Sequence, residues 1–285
     1  MINKTSEWDF VITPNRGWLE INFNEIFNYK DLLWLLVKRD YTTQFKQTIL
    51  GPIWFILQPL IYTIVFTFVF NGVAKISTGD APPMLFYMSG IIAWNYFSGC
   101  LTTTSGTFLS NAGLFGKVYF PRIIVPISKS ISGLIKLFVQ LILFFGIYIY
   151  YHFISELATN YSQTTLLLLP LFIFQMAIFG QGLGMIIASM TIKYRDLTYL
   201  VNFGTQLLMY ASPIVYPLDI VPDKYKYFIL ANPMTAMIEG FRISLLGLGK
   251  LDADMLLYSI SFTCITFLIG LIIFNKTEQN FIDTI

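Results

Sequence analysis

Several of the most apolar stretches of this chain carry side chains that hydrogen-bond or bear charge, recurring at helical spacing. Asn95, Ser98, Thr102 and Ser105 follow at steps of three, four and three, which stacks an amide and three hydroxyls on one helix face. Lys129, Ser132, Lys136 and Gln140 repeat the pattern, and Asn202, Thr205 and Gln206 interrupt a third apolar stretch. Polar groups at membrane depth need a partner, a neighbouring helix or a water-filled path. Bonding between helices is the ordinary use of hydroxyl residues there, so the pattern fits a packed bundle or a polar-lined passage. Lys129 is placed to snorkel to a membrane surface, but Lys136 lies about two turns deeper, where snorkelling alone is a poor account.

The reagents of catalysis are scarce. The single histidine, His152, cannot build a histidine metal cluster or a Ser-His-Asp triad. The run ending Gly116-Lys117 falls short of a phosphate loop, with Asn111 where the first glycine belongs and Val118 where a Ser or Thr should follow. Asp252-Ala253-Asp254 has a metal-binding spacing, yet two acids before an apolar helix read more simply as its N-cap and first-turn charges. Cys100 and Cys264 lie in apolar segments without metal or disulfide spacing. No catalytic residue, metal site or cofactor is assigned to this chain.

The elements that must position these side chains belong to a membrane protein. Of 285 residues, 55% are hydrophobic and only 12% charged, against roughly one quarter charged in soluble domains. The net charge of +2 is too small to argue for nucleic acid. Spans need about 20 apolar residues. Segments near 53–73, 85–108, 123–150, 165–190, 198–217 and 255–274 qualify, so the expected fold is an all-α polytopic protein with six transmembrane helices.

The short connections on the side of the N-terminus carry Lys38, Arg39, Lys46, Lys117, Arg122, Lys193 and Arg195. Those on the other side are nearly bare of basic residues, which places both termini in the cytoplasm. Residues 1–25 are polar, with no apolar run and cleavage site to suggest a secretory signal. Residues 26–50 form an amphipathic helix at the membrane interface, with Ile26, Tyr29, Leu33, Leu36, Val37, Phe45 and Ile49 as its apolar stripe. It breaks at Gly51-Pro52, where the six-helix region 51–285 begins.

Within that region Gln58-Pro59 implies a kink whose freed carbonyl needs a neighbour. Gly180, Gly182 and Gly184 offer a surface for close helix contact. The connection from Asn111 to Arg122 is short, basic, aromatic and glycine-punctuated, a contact point for a protein docking from the cytosol. The segment from Asp219 to Asp254 is too apolar for a floppy loop and too broken by Asn232-Pro233 and Gly240 for one span, so it is expected to form two short helices that re-enter the outer leaflet.

The order of these parts resembles the membrane subunits of type-two ABC exporters, within them the branch that exports O-antigen, capsule and teichoic acid chains. The resemblance rests on K-R-D-Y-T-T-Q-F-K-Q-T-I-L-G-P-I-W-F-I-L-Q-P-L at 38–60, F-P-R at 120–122, K-Y-R-D-L at 193–197 and S-P-I-V-Y-P at 212–217. It is completed by the motif of Asn232, Pro233, Glu239 and Arg242. It implies a homodimer in the bacterial inner membrane, bound to two copies of a separate ATPase that uses ATP and magnesium and exporting a lipid-linked polysaccharide.

Carried over by position, it implies a coupling helix containing Gly113, Phe115, Lys117, Tyr119 and Arg122, with Tyr194, Arg195 and Asp196 completing the docking surface. Trp54, Phe55, Asn202 and Gln206 would line a channel at the dimer interface, capped by the re-entrant pair around Asn232 to Leu246. Sugar C–H faces slide along aromatic rings, and hydroxyls exchange hydrogen bonds with amides, which adds Trp94, Asn95, Tyr96, Phe97, Ser98 and Thr102 to the candidate lining. Interfacial anchoring of the aromatic residues is the alternative use. Arg122 and Lys136 are candidates for the lipid pyrophosphate. The rival readings are a drug or lipid exporter of the same superfamily, a membrane glycosyltransferase or acyltransferase, and a structural scaffold.

Overall fold

The computed structural model describes residues 27–118, 120–155, 163–249 and 252–281. The N-terminal segment 1–25, Ile26 and Tyr119 lie outside the described residues. All regular structure among the described residues is helical: α1 (Lys30–Phe45), α2 (Trp54–Phe66), α3 (Pro83–Ser105), α4 (Thr107–Phe115), α5 (Ile124–Ser155), α6 (Leu169–Thr191), α7 (Leu197–Tyr210), α8 (Asp223–Leu230), α9 (Pro233–Leu246) and α10 (Ala253–Phe281). One-turn pieces at Gly51–Ile53, Gln163–Leu166 and Leu218–Ile220 join them, and α2 runs on as a π-helix over Thr67–Val73. Four stretches are long and apolar enough to cross a membrane: Gly51–Val73, Ile124–Phe153, Leu169–Thr191 and Ala253–Glu278.

The helix α3 is the axis of the molecule. It has 23 residues, and those from Leu85 to Trp94 are buried without a break. An unbroken buried run means neighbours on every side, and α2, α5, α6, α7 and α9 supply them. The tightest contacts are made by glycine. A Cβ on Gly180 would stand 2.9 Å from the Cys100 Cβ, and one on Gly184 would stand 2.6 Å from the Thr104 Cβ. The intervening Gly182 faces the other way, where a Cβ would meet Phe267 backbone of α10 at 2.8 Å, and Gly270 lies opposite it. The run of small residues thus welds α6 to α3 on one side and to α10 on the other.

The interfacial helix is shorter than its sequence pattern suggests. Gln47 adopts φ 65° and Gly51 φ 50°, left-handed conformations that a helix cannot propagate through, and Thr48 Oγ1 donates to the Phe45 carbonyl at 2.9 Å as the chain turns away. Ile49, expected on the apolar stripe, therefore sits beyond the helix and is 102% exposed. Leu36 and Val37 face the protein while Trp34 and Leu35 point outward, so α1 presents apolar groups on both sides, as a helix wedged between protein and lipid does.

Two further boundaries differ from the sequence expectation. The segment 198–217 is not helical throughout. Its helix ends at Tyr210 after 14 residues, about 21 Å, because Pro213 disfavours helical geometry at Ser212 and a turn follows. The stretch after it forms two helices, α8 and α9, separated at Asn232-Pro233 as expected. Asn232 caps α9, its Oδ1 accepting from the Met234 amide at 3.0 Å, and Gly247 closes that helix in the left-handed conformation, φ 68°.

Gly182→Leu is expected to lower stability by about 1–3 kcal/mol or more, whereas Gly204→Ala, where an added Cβ meets nothing within 4 Å, should leave the thermal midpoint of the detergent-purified protein unchanged. Equal midpoints for Gly182→Leu and the unaltered chain would refute the packing role assigned to the glycine run.

Candidate functional site

The polar face of α5 meets Asn95 of the α3 face, whereas Ser98, Thr102 and Ser105 do not border the same cleft. The residues Lys129, Ser132, Lys136 and Gln140 of α5 face Asn95, Tyr96, Gly99 and Thr103 of α3, with α1 and α4 closing the remaining sides, around a cleft of about 540 Å³. Gly133 allows the approach, since a Cβ there would stand 3.2 Å from the Tyr96 ring. The Phe55 carbonyl, released by the missing amide of Pro59, accepts a long hydrogen bond from Gln140 Nε2 at 3.5 Å. Pro59 thereby leaves an acceptor on α2 for Gln140, a residue of the cleft.

Charge in the cleft is divided unevenly. Asp40 of α1 pairs with Lys129 at 2.7 Å and with Arg39 at 3.2 Å, and Arg39 also donates to Asn111 Oδ1 at 3.3 Å. Among the described residues, Lys136 has only the face of the Phe55 ring, 5.9 Å from its ammonium, and the Asn95 Nδ2 is buried without a partner. By contrast, hydroxyls of the same helix are satisfied by their own backbone: Thr102 donates to the Ser98 carbonyl at 2.7 Å and Ser98 to the Asn95 carbonyl at 3.4 Å.

Of the aromatic residues expected to line a channel, only Tyr96 borders this cleft. Trp94 and Phe97 are buried in the protein core, and Phe97 is 0% exposed, stacked on Phe179 at 5.3 Å. Phe55 is buried as well, edge-on to Phe45. Their placement follows from the centrality of α3, which leaves that side of the helix no free surface. Trp54, Asn202 and Gln206 are exposed and stand apart from the cleft. Arg39, Asp40 and Asn111 enter the site without having been singled out for it. The Arg39-Asp40 pair within K-R-D was the available signal, since an acid among basic interfacial residues needs a cation.

At the basic end of the bundle, Leu36, Phe108, Phe115, Phe120, Ile124, Met185, Leu271 and Phe274 form a second apolar core. The Asn111–Arg122 connection folds onto it. Gly113, Lys117 and Val118 face outward while Phe115 and Phe120 turn inward. Arg122 is buried, its guanidinium 5.3 Å from the Phe115 ring centre and hydrogen-bonded to the Glu278 carbonyl of α10. Phe115 and Arg122 are thus buried where the segment meets α10, with one Arg122 guanidinium nitrogen donating to the Glu278 carbonyl. Tyr194, 52% exposed, and the exposed Arg195 and Asp196 lie in the turn after α6, whose neighbour Ile192 packs on the same core.

The opposite end is held by the Asn232–Arg242 motif. The buried Arg242 donates to the Pro213 carbonyl at 2.8 Å and to Glu239 at 2.7 Å, with its guanidinium carbon 3.7 Å above the Phe86 ring centre. Asn232 Nδ2 donates to Ser212 Oγ at 2.9 Å. Two motifs distant in sequence thus form one clamp joining α9, the turn after α7 and the start of α3.

Arg242→Lys should cost about 1–3 kcal/mol, since a single ammonium cannot reach Pro213, Glu239 and the Phe86 face together. A thermal midpoint matching that of the unaltered protein would show the clamp to be dispensable.

Known proteins share this arrangement of parts. A family model described as ABC-2 type transporter matches residues 31–246. An O-antigen export system permease protein RfbA of Klebsiella pneumoniae is 28% identical over 255 residues, covering 89% of this chain and 94% of its own length. Another permease of that name, from Myxococcus xanthus, is 23% identical over 92% of this chain and 98% of its own. The polysialic acid transport protein KpsM of Escherichia coli is 25% identical over 86% and 92%.

Proposed function

The chain belongs to the ABC-2 type transporter family, and we propose that it is the permease subunit of an ATP-driven exporter that moves a lipid-linked, O-antigen-like polysaccharide across the bacterial inner membrane. The observation that carries this reading is the near end-to-end match to relatives named for O-antigen export and polysialic acid transport. It is a transport subunit, with ATP and magnesium used by two copies of a separate ATPase.

In this reading α2, α3, α5, α6, α7 and α10 are the six crossings, and α8 with α9 dips into the outer leaflet. Both termini are cytoplasmic. Supporting that orientation, Lys38, Lys46, Lys117, Lys193, Arg195 and Lys276 belong to connections and helix ends that converge on the second apolar core, and the positive-inside rule assigns such an end to the cytoplasm. The ATPase docks on the outward-facing Gly113 and Lys117 and on the exposed Tyr194, Arg195 and Asp196. The buried Phe115 and Arg122 transmit its movement to the bundle, since Arg122 ties the docking segment to α10.

Two copies of the chain pair to enclose the polysaccharide path, with the exposed Trp54, Asn202 and Gln206 on the surfaces available for its lining. The buried Trp94 and Phe97 support that wall from behind.

Deleting the gene is expected to leave lipid-linked glycan on the cytoplasmic side of the inner membrane. The intact gene should restore surface glycan, and a version with residues 111–118 scrambled should not, while still being inserted in the membrane. Normal surface glycan in the deletion strain, together with altered resistance to small amphiphiles, would replace the polysaccharide reading with that of a drug or lipid exporter.

A further inference from the structure

Alone among the described helices, α2 changes its winding, and its outer end is a π-helix over Thr67–Val73. A π-turn holds one residue too many for the α-helix it interrupts, and such turns are rare and gather at functional sites. The residues T-F-V-F-N-G-V show why α-winding does not prevail here. β-branched, aromatic, Asn and Gly residues all stand low in helix propensity, and the stretch has no strong helix former. The wide winding is held by few bonds. The Ala74 amide donates five residues back to the Val69 carbonyl and the Ile76 amide six back to Phe70, both at 2.9 Å. Asn71 Nδ2 donates to the Ile76 carbonyl at 3.2 Å, so one side chain clasps the end.

This winding also carries costs. Lys75 takes the left-handed conformation, φ 54°, which its Cβ disfavours. The Thr67 hydroxyl is buried with no partner among the described residues, as is that of Tyr87 on α3, whose ring meets Phe66 and Phe70 of α2. In the α-wound part, by contrast, Thr63 donates to the Pro59 carbonyl at 2.7 Å. Few bonds set against standing costs leave the two windings close in energy. There is also room for the change. Residues before Thr67 are held by α3 and α5, but an added Cβ on Gly72 would meet only atoms of Thr67 and Phe68, and Val73 is 66% exposed. The segment 74–82 has no regular structure and receives the surplus residue. Conversion to α-winding turns Val73 by about 100°, the angle of one α-helical residue.

We propose that the outer end of α2 is a two-state joint, π-wound in the arrangement seen here and α-wound in a second. The change of register by one residue alters the surface that α2 presents at the outer end of the bundle while its inner part stays packed, and this movement belongs to the transport cycle. The link to transport rests on the exporter reading; the two windings do not.

The test uses the full-length chain in phosphatidylcholine nanodiscs, with a trifluoromethyl probe on Val73→Cys and with Cys100→Ala and Cys264→Ser removing the native thiols. Two fluorine resonances are expected, one for each winding. Asn71→Leu, which cuts the clasp to Ile76, should raise the α-wound population relative to the π-wound one about fivefold, the effect of losing one neutral hydrogen bond. Deleting Gly72 removes the surplus residue, so the α-wound helix presents Val73 where the π-wound one did. That variant should show the π-form resonance alone, keep its thermal midpoint and lose glycan export. A single resonance in the labelled parent, or a ratio that Asn71→Leu leaves unchanged, overturns the joint. If the deletion fails to insert, the Asn71→Leu ratio decides by itself. The two readings fail separately. Full export by the Gly72 deletion, in a strain whose surface glycan depends on this chain, rejects the joint's part in transport. Surface glycan independent of the gene, with both windings resolved, rejects the exporter alone.

Discussion

The backbone contact of α6 with α3 and α10 is the constraint on which the rest of the molecule depends. Lipid tails are as apolar as leucine, so helices in a bilayer gain little from hiding apolar side chains from their surroundings. Close packing must supply the cohesion instead, and close packing requires that nothing stand between the backbones. Gly180 and Gly184 meet α3, and Gly182 meets α10 across from Gly270. Once those three helices are fixed, the faces left over on α3 are determined. One receives α5 and becomes the polar cleft, and another receives α9 and the clamp of Arg242.

Polar groups are placed by a second constraint, that a donor or acceptor away from water must be matched. Most are matched locally, through hydroxyls donating to carbonyls three or four residues earlier in the same helix. Others join helices, as where Gln175 donates to Ser259 at 2.8 Å and Gln181 to Ser130 at 2.7 Å. Thr67, Tyr87, Thr104 and Asn95 each hold a buried polar atom without a hydrogen-bond partner among the described residues, and of these Asn95 lies in the cleft with Lys136.

The basic end of the bundle shows how a docking surface is made stiff. Its outward-facing residues are small or charged, while the aromatic residues of the same short segment anchor it to α5, α6 and α10 through one apolar core. A push on Lys117 is thereby delivered to the ends of several long helices rather than absorbed by a loop. At the other end, Arg242 stacks on Phe86 at the start of α3, while Asn232 caps α9 and bonds Ser212 in the turn after α7.

The sequence by itself determined the features that depend on local periodicity and chain chemistry. These are the long apolar helices, the break at Gly51-Pro52, the two helices divided at Asn232-Pro233, the freed carbonyl at Pro59 and the small-residue face of α6. It was less reliable where a boundary depended on single dihedral angles, as at Gln47 and at Ser212-Pro213. The tertiary structure alone decided which polar residues became partners and which aromatic residues became core. Spacing placed Trp94, Asn95, Tyr96 and Phe97 along one helix but could not say which sides of that helix would be covered. Nor could it foresee that Asp40 would pair with Lys129, or that Arg122 would reach the Glu278 carbonyl of α10. Those outcomes rest on contacts between residues far apart in the chain, and helical periodicity carries no information about which helices become neighbours.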